Sequence, residues 1–190
     1  LFELNASTAV LELLRPLFPD GFAALPALRD ADDQGYIVNE LSIALSYLGR
    51  DEESLAAQAL TLQIDVGREG AFDLRAGLHN YRNSLANLNR LAGAARATAL
   101  ALRLAEALGA ADEIAFARYF QLTDVVERGD WPTSEAAYQA YQAAPLKSHH
   151  QAAQVAARVA REYAALAIQQ GQPAEERLAE AARLAALARD

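Results

Sequence analysis

Apolar residues recur at helical spacing along most of the chain. In residues 74–91 they follow one another at steps of four, three, four and three, which places a single apolar stripe on one face of a helix. The stripe comprises Leu74, Leu78, Tyr81, Leu85 and Leu88. Long alternating runs of β-branched residues, which would indicate strands, do not occur. The pattern predicts an all-α protein.

Residues that can end a helix recur at a spacing of about 40. Glycine and asparagine tolerate the left-handed conformation that closes a helix, and they stand at Gly49, Asn89, Gly129 and Gly171. Acidic residues or proline follow three of these turns, as expected where a new helix begins. Five positions after the first three turns stand small residues, Ser54, Ala94 and Ser134. These spacings predict antiparallel helix hairpins that pack closely.

The stretch "LGRDEESLAAQALTL" (48–62) resembles the second half of a tetratricopeptide repeat, which reads leucine-glycine and later alanine and alanine-leucine. The resemblance covers about residues 35–190 and implies a right-handed α-α superhelix of antiparallel helix hairpins. Its period of 40–42 exceeds the usual 34, so the helices should be longer. Gln58 and Thr98 stand where the family commonly has a large aromatic residue, and Tyr138 keeps one.

We expect two regions along the chain. Residues 1–34 would form an N-terminal helix and an irregular connection. The repeat array would follow, with hairpins at about 35–70, 71–110, 111–146 and 147–190. Because the chain begins with leucine and contains no methionine, we expect it to be part of a longer protein. Similar arrays follow bacterial signalling NTPases and transcription regulators.

The segment "HNYRNSLANLNR" (79–90) carries a polar stripe opposite the apolar one. Asparagine is a poor helix former, so several on one face need a reason. A carboxamide both donates and accepts hydrogen bonds and can hold a peptide bond, and the resemblance implies that the first helix of each hairpin lines a peptide-binding groove. The alternative is a solvated face without function. The candidate groove residues are Tyr36, Asn39, His79, Asn80, Asn83, Asn87, Arg90, Tyr119, Thr123, Arg158 and Arg161.

Two of these residues bear on the charge of a partner. Arg158 and Arg161 are three positions apart and can hold an acidic side chain or a chain-terminal carboxylate. The alternative is that they pair with nearby acids such as Glu162. The first interpretation predicts an acidic peptide or protein partner.

Other patterns offer little chemistry. The chain has no cysteine, and no nucleophile, phosphate loop or set of catalytic residues is recognisable. "DADDQGYIVNEL" (30–41) has the early spacing of a calcium loop, but Leu41 stands where a bidentate glutamate is required. We interpret its acids as the cap of a helix that begins near Gly35. No catalytic residue, metal or cofactor is therefore expected.

Charge and hydropathy limit the classes of partner. The net charge of −8, from 25 acids and 17 bases, argues against nucleic acid. No apolar run approaches the ~18 residues of a membrane helix, so we expect a cytoplasmic protein without a membrane partner. The oligomeric state stays open. The sequence thus favours a non-catalytic scaffold that binds a peptide or protein segment. The alternative is a regulatory or sensor segment of a larger signalling protein.

Overall fold

A computed structural model describes residues 2–67, 71–146, 152–171 and 173–187. Within these residues there are helices and no strand, which confirms the all-α prediction. The helices are α1 Phe2–Leu14, α2 Ala31–Tyr47, α3 Asp51–Gly67, α4 Ala71–Asn87, α5 Leu91–Ala107, α6 Ala111–Glu127, α7 Trp131–Ala143, α8 Ala152–Gln169 and α9 Glu175–Leu187. A short 3₁₀ turn, Arg15–Leu17, follows α1.

The helices follow a 20-residue frame. Each of α2 to α6 contains 17 residues, and a helix begins every 20 positions from Ala31 to Trp131. Three-residue turns therefore join α2 to α3, α4 to α5, α5 to α6 and α6 to α7. Such short connections make consecutive helices antiparallel neighbours.

The turn residues have the left-handed conformation that the sequence predicts. The φ angles are +71° at Gly49, +57° at Asn89, +67° at Gly129 and +68° at Gly171. A fifth turn, at Gly109 with φ +63°, lies halfway between two of these and was missed because the 40-residue spacing marks every second turn. The backbone pattern is that of a Schellman motif: after α2, the Arg50 N–H donates to the Leu45 carbonyl oxygen at 2.9 Å.

The small residues after the turns are buried, as predicted. Ser54 is 1% exposed, and Ala94 and Ser134 are not exposed at all. A larger side chain at these positions would separate the two helices of a hairpin. The apolar stripe of α4 is confirmed as well, since Leu78 and Leu85 are buried and Tyr81 packs with Leu85.

The chain divides into two compact units, Leu1–Ala97 and Thr98–Asp190. In the first unit, α1 packs on α2: Leu11, Leu14 and Phe18 share a core with Val38, Leu41 and Leu45. Helix α1 and the turn that follows it are therefore bound to the first hairpin through this core. Burial of these apolar side chains stabilises the unit at roughly 25 cal/mol per Å².

Helix α2 begins four residues earlier than the sequence suggested. Asp30 is its N-cap, and the Asp30 carboxylate accepts a hydrogen bond from the Asp32 N–H at 2.7 Å. An acidic side chain is a preferred N-cap because it satisfies free amides and complements the helix dipole. The acids that imitate a calcium loop are thus the start of a helix, as we interpreted them.

The second unit has its own core, formed by α6, α7 and α8. Its larger members are Tyr119, Phe120, Leu122, Tyr141 and Val159. Beside this core the rings of Tyr138 and Tyr163 stack in parallel, with centroids 3.7 Å apart and planes inclined by 11°.

Candidate functional site

A row of buried polar residues runs along α3. Ser54, Gln58, Thr61 and Asp65 follow one another at steps of four, three and four, and all are at most 5% exposed. Ser42 of α2 and Ser84 of α4 are also buried. The interface of α2, α3 and α4 is therefore polar where an ordinary helical core is apolar. The row has a clear signal in the sequence, polar residues at helical period, but none of its members was among the predicted site residues.

Two cavities lie between α2 and α4, with α3 as their floor. Cavity I has a volume of about 310 Å³ and is lined by residues that include Asp32, Tyr36, Asn39, Thr61, Asp65 and Asn80. Cavity II has a volume of about 240 Å³ and is lined by residues that include Ser42, Ile43, Gln58, Asn80, Asn83 and Ser84. Asn80 lines both cavities. We call the two together the α2–α4 groove.

Carboxamides are bonded to one another at the boundary of the cavities. The Asn80 Nδ2 donates to Asn39 Oδ1 at 3.0 Å, and the Gln58 Nε2 donates to the same oxygen at 3.3 Å. The Gln58 Nε2 also donates to the Ser42 hydroxyl, which in turn donates to the Asn39 carbonyl oxygen at 2.7 Å. In this arrangement the amide donors of Asn80 and Gln58 both face the side-chain oxygen of Asn39.

Two polar groups of this network are left over. The Asn39 Nδ2, a donor, and the Asn80 Oδ1, an acceptor, have no partner among the described residues. Both side chains are only half-buried, so these groups are available. A donor and an acceptor on neighbouring side chains match the carbonyl oxygen and N–H of an extended peptide backbone.

The rim of the groove contains exposed residues. Tyr36 is 65% exposed and Tyr47 is 63% exposed on the α2 side; each lines one cavity. Asn83 is exposed on the α4 side and accepts a hydrogen bond from Arg82 at 3.3 Å. The structure thus brings four predicted residues together in one groove, namely Tyr36, Asn39, Asn80 and Asn83.

The rest of the polar stripe on α4 connects this helix to the first hairpin. Asn87 Nδ2 donates to the Ser46 hydroxyl at 3.4 Å and to Asp51 at 3.2 Å. Arg90 forms an ion pair with Glu52 at 2.6 Å. Neither Asn87 nor Arg90 is among the residues that line the cavities. Their visible role is to join the two hairpins.

His79 lies inside the protein. It is 7% exposed, between Arg75 and Arg82 along the same helix, both of which are buried. Burial, followed by the positive charges of Arg75 and Arg82, lowers the pKa of His79 to about 4. The imidazole is therefore neutral at physiological pH.

The predicted residues of the second unit lie in different surroundings. Tyr119 is 6% exposed and belongs to the core. Thr123 donates back to the Tyr119 carbonyl oxygen at 3.1 Å. Arg158 is exposed, and Arg161 pairs with Glu162, which is the alternative that the sequence left open for it.

Metal ligands and membrane spans can be judged over the described residues. These residues contain no group of three or more His, Cys, Asp or Glu side chains arranged to hold a metal ion. None of the described helices combines the length and the apolar character needed to cross a bilayer.

The fold and groove define an all-α protein built of helix hairpins, and known structures share this fold. BtubC (BKLC) from P. vanneervenii superposes with a TM-score of 0.73 at 16% identity, over 96% of this chain and 73% of that one. The Rap protein, solved in complex with Competence and Sporulation Factor, superposes with a TM-score of 0.68 at 17% identity, over 86% of this chain and 45% of that one. No family model and no curated protein matches the sequence. At these identities the similarity establishes the fold.

Proposed function

We propose that the chain is a tetratricopeptide-like scaffold whose α2–α4 groove binds an extended segment of a protein or a peptide, without catalysis. The observation that carries the proposal is the pair of leftover groups, the donor of Asn39 and the acceptor of Asn80, at the boundary of two cavities. A helical ligand has its own backbone groups paired and could not use them, whereas an extended segment presents free N–H and carbonyl groups.

Two further points support the proposal. The groove is lined by fixed side chains, because the hydrogen-bond network holds Asn39, Gln58 and Asn80 in place, and a preorganised site loses less entropy on binding. The Rap protein, which shares the fold, was crystallised in complex with Competence and Sporulation Factor.

A library of hexapeptides tests this function. Synthetic peptides with acetylated and amidated ends, which carry no terminal charge, are screened for binding by fluorescence polarisation. We expect Asn80→Ala to weaken the best binder at least tenfold, about 1.4 kcal/mol. Asn87→Ala is the matched control, because it also removes a hydrogen bond from α4 to α2 but lies outside the cavities. Absence of any binder, or equal losses in both variants, would refute the proposal.

A further inference from the structure

A buried acceptor without a partner lies beside cavity II. Gln58 lines this cavity and is 1% exposed, and its Oε1 atom has no hydrogen-bond partner among the described residues. Buried polar groups in proteins are nearly always hydrogen-bonded, and an unpaired one reduces stability. Such an atom beside a cavity is a feature that a ligand can satisfy.

In the arrangement that the structure shows, the unpaired atom is the oxygen of the Gln58 amide. Its Nε2 faces two acceptors: Asn39 Oδ1, which also accepts from Asn80, and the hydroxyl of Ser42, which uses its one hydrogen on the Asn39 carbonyl. Turning this amide alone over would place Oε1 against Asn39 Oδ1, so that two acceptors would face each other. Gln58 Oε1 therefore lacks a donor.

Cavity II exists because small residues surround Gln58. Ser42, Ser54 and Ser84 are buried around it and leave about 240 Å³ unfilled. Eighty positions later, at the equivalent place in α7, stands Tyr138, whose ring stacks on Tyr163. At this position the hairpin of α2 and α3 has a cavity and the amide of Gln58, whereas the hairpin of α6 and α7 has the stacked ring of Tyr138.

The lining of cavity II is also uncharged. Its polar lining groups are hydroxyls and carboxamides, so a charged side chain would be desolvated there without a counter-charge. Cavity I differs, because the carboxylates of Asp32 and Asp65 are among its lining groups. The two cavities therefore select different side chains.

We propose that cavity II is a specificity pocket for an uncharged side chain that donates a hydrogen bond, such as serine, threonine, asparagine or glutamine. The donor would pair with Gln58 Oε1. The proposal rests on the proposed function, since the side chain belongs to the segment bound in the groove. Oε1 is covered by neighbouring atoms, but the terminal torsion of glutamine is broad and the Nε2–Asn39 bond is long at 3.3 Å. Binding would require a small turn of the amide that presents the oxygen to the cavity.

The experiment compares isosteric side chains in the hexapeptide library. At one peptide position we expect threonine to bind about tenfold more tightly than valine, because valine leaves Oε1 unpaired. Gln58→Met should abolish this preference, since it removes the acceptor. Gln63→Met is the matched control, because Gln63 is exposed on the same helix, and it should keep the preference.

The outcomes separate the two proposals. If peptides bind but threonine and valine bind equally, or the preference survives Gln58→Met, the specificity pocket is refuted and the groove stands. A preference for lysine or arginine would place the side chain in cavity I and would also refute the pocket. If no peptide binds the wild-type protein, the groove and the pocket both fall.

A second variant keeps the proposal testable if Gln58→Met does not fold. Gln58→Glu is nearly isosteric and places a negative acceptor at the same point. The preferred side chain should then change from threonine to lysine, with lysine peptides binding about tenfold more tightly than threonine peptides. If threonine peptides still bind Gln58→Glu more tightly than lysine peptides do, the assignment of Oε1 as the acceptor is contradicted.

Discussion

The Asn80 Nδ2 donates to Asn39 Oδ1 at 3.0 Å, between residues 41 positions apart. Asn87 donates to Ser46 across the same separation of 41. Two bonds with one separation show that α2 and α4 lie side by side in a single register. Asn80 and Asn87 thus align the hairpins, and the bond between Asn80 and Asn39 leaves a donor on Asn39 and an acceptor on Asn80 for a ligand.

The bond between Asn39 and Asn80 should contribute measurably to stability. In a double-mutant cycle of Asn39→Ala and Asn80→Ala, we expect a coupling of about 0.5–1.5 kcal/mol in the free energy of unfolding by urea, as for a partly buried hydrogen bond. The Arg90–Glu52 pair is the control, because its side chains are 49% and 65% exposed and its coupling should stay below about 0.5 kcal/mol. A coupling between Asn39 and Asn80 no larger than that of the control pair would contradict the partly buried bond that the structure shows.

Asn89 closes α4 with φ +57°, a conformation that glycine adopts without strain. Asn89→Gly should therefore raise the free energy of unfolding and Asn89→Ala should lower it, each by up to about 1 kcal/mol. Asn83→Gly, the same substitution inside α4, should instead lower it by about 0.5 kcal/mol. Thermal and urea unfolding measure all three variants. Stabilisation by Asn89→Ala would be incompatible with the left-handed turn.

Gly77 allows α4 to approach α3 closely. A Cβ atom there would lie 2.9 Å from Leu62 Cδ2 and 3.1 Å from Asp65 Oδ2. We expect Gly77→Ala to reduce the free energy of unfolding by about 1–3 kcal/mol through overpacking.

The comparison for Gly77 is Gly93 on α5. Its added Cβ would lie 3.3 Å and 3.4 Å from the Leu85 methyl groups, which can give way. Gly93→Ala should be neutral or slightly stabilising, because alanine favours the helix. If both variants lose the same stability, the close approach at Gly77 is not the cause.

The buried His79 should make stability depend on pH. The pKa of His79 in the folded protein is about 4, whereas in the unfolded chain it is about 6.5. As the pH falls below 6.5 the unfolded state takes up a proton that the folded state does not, so the free energy of unfolding decreases. Between pH 7 and pH 5.5 the loss is about 1 kcal/mol.

The measurement is urea unfolding at pH 7 and pH 5.5 for the wild type and His79→Gln. Carboxylates and the other two histidines affect both proteins alike, so the difference between the two pH slopes isolates His79. We expect the variant to lose about 1 kcal/mol less than the wild type. Identical slopes would mean that His79 can be protonated in the folded state.

The sequence predicted the features that depend on local geometry. The turn at Gly49, the small residue at Ser54 and the apolar stripe of α4 each follow from what one or two residues permit. The Gly109 turn was missed because a spacing of 40 fits every second turn equally well. The acids around Asp30 were recognised as a helix cap, but the start of the helix was predicted too late. The first residue of the helix depends on the geometry of the cap, which the sequence alone does not show.

The groove was predicted only in part, because a helical wheel gives the face of one helix but not what lies opposite. Asn80 and Asn87 share a face, yet one lines both cavities and the other bonds to Ser46 and Asp51. Tyr119 occupies a position on the first helix of its hairpin that matches a groove residue of the earlier hairpins, but it is buried in the core. Gln58 stood out as a departure from the repeat pattern, but its unpaired oxygen appears only when its neighbours are in place.

The 20-residue frame of α2 to α7 has a consequence for how this chain can vary over evolution. One inserted or deleted residue within α3 would rotate all later side chains of that helix by about 100°, and Thr61 and Asp65 would leave the interior together. Changes in length should therefore be confined to the segments outside the frame, or occur as whole 40-residue hairpins, while single positions within the frame remain free to be substituted.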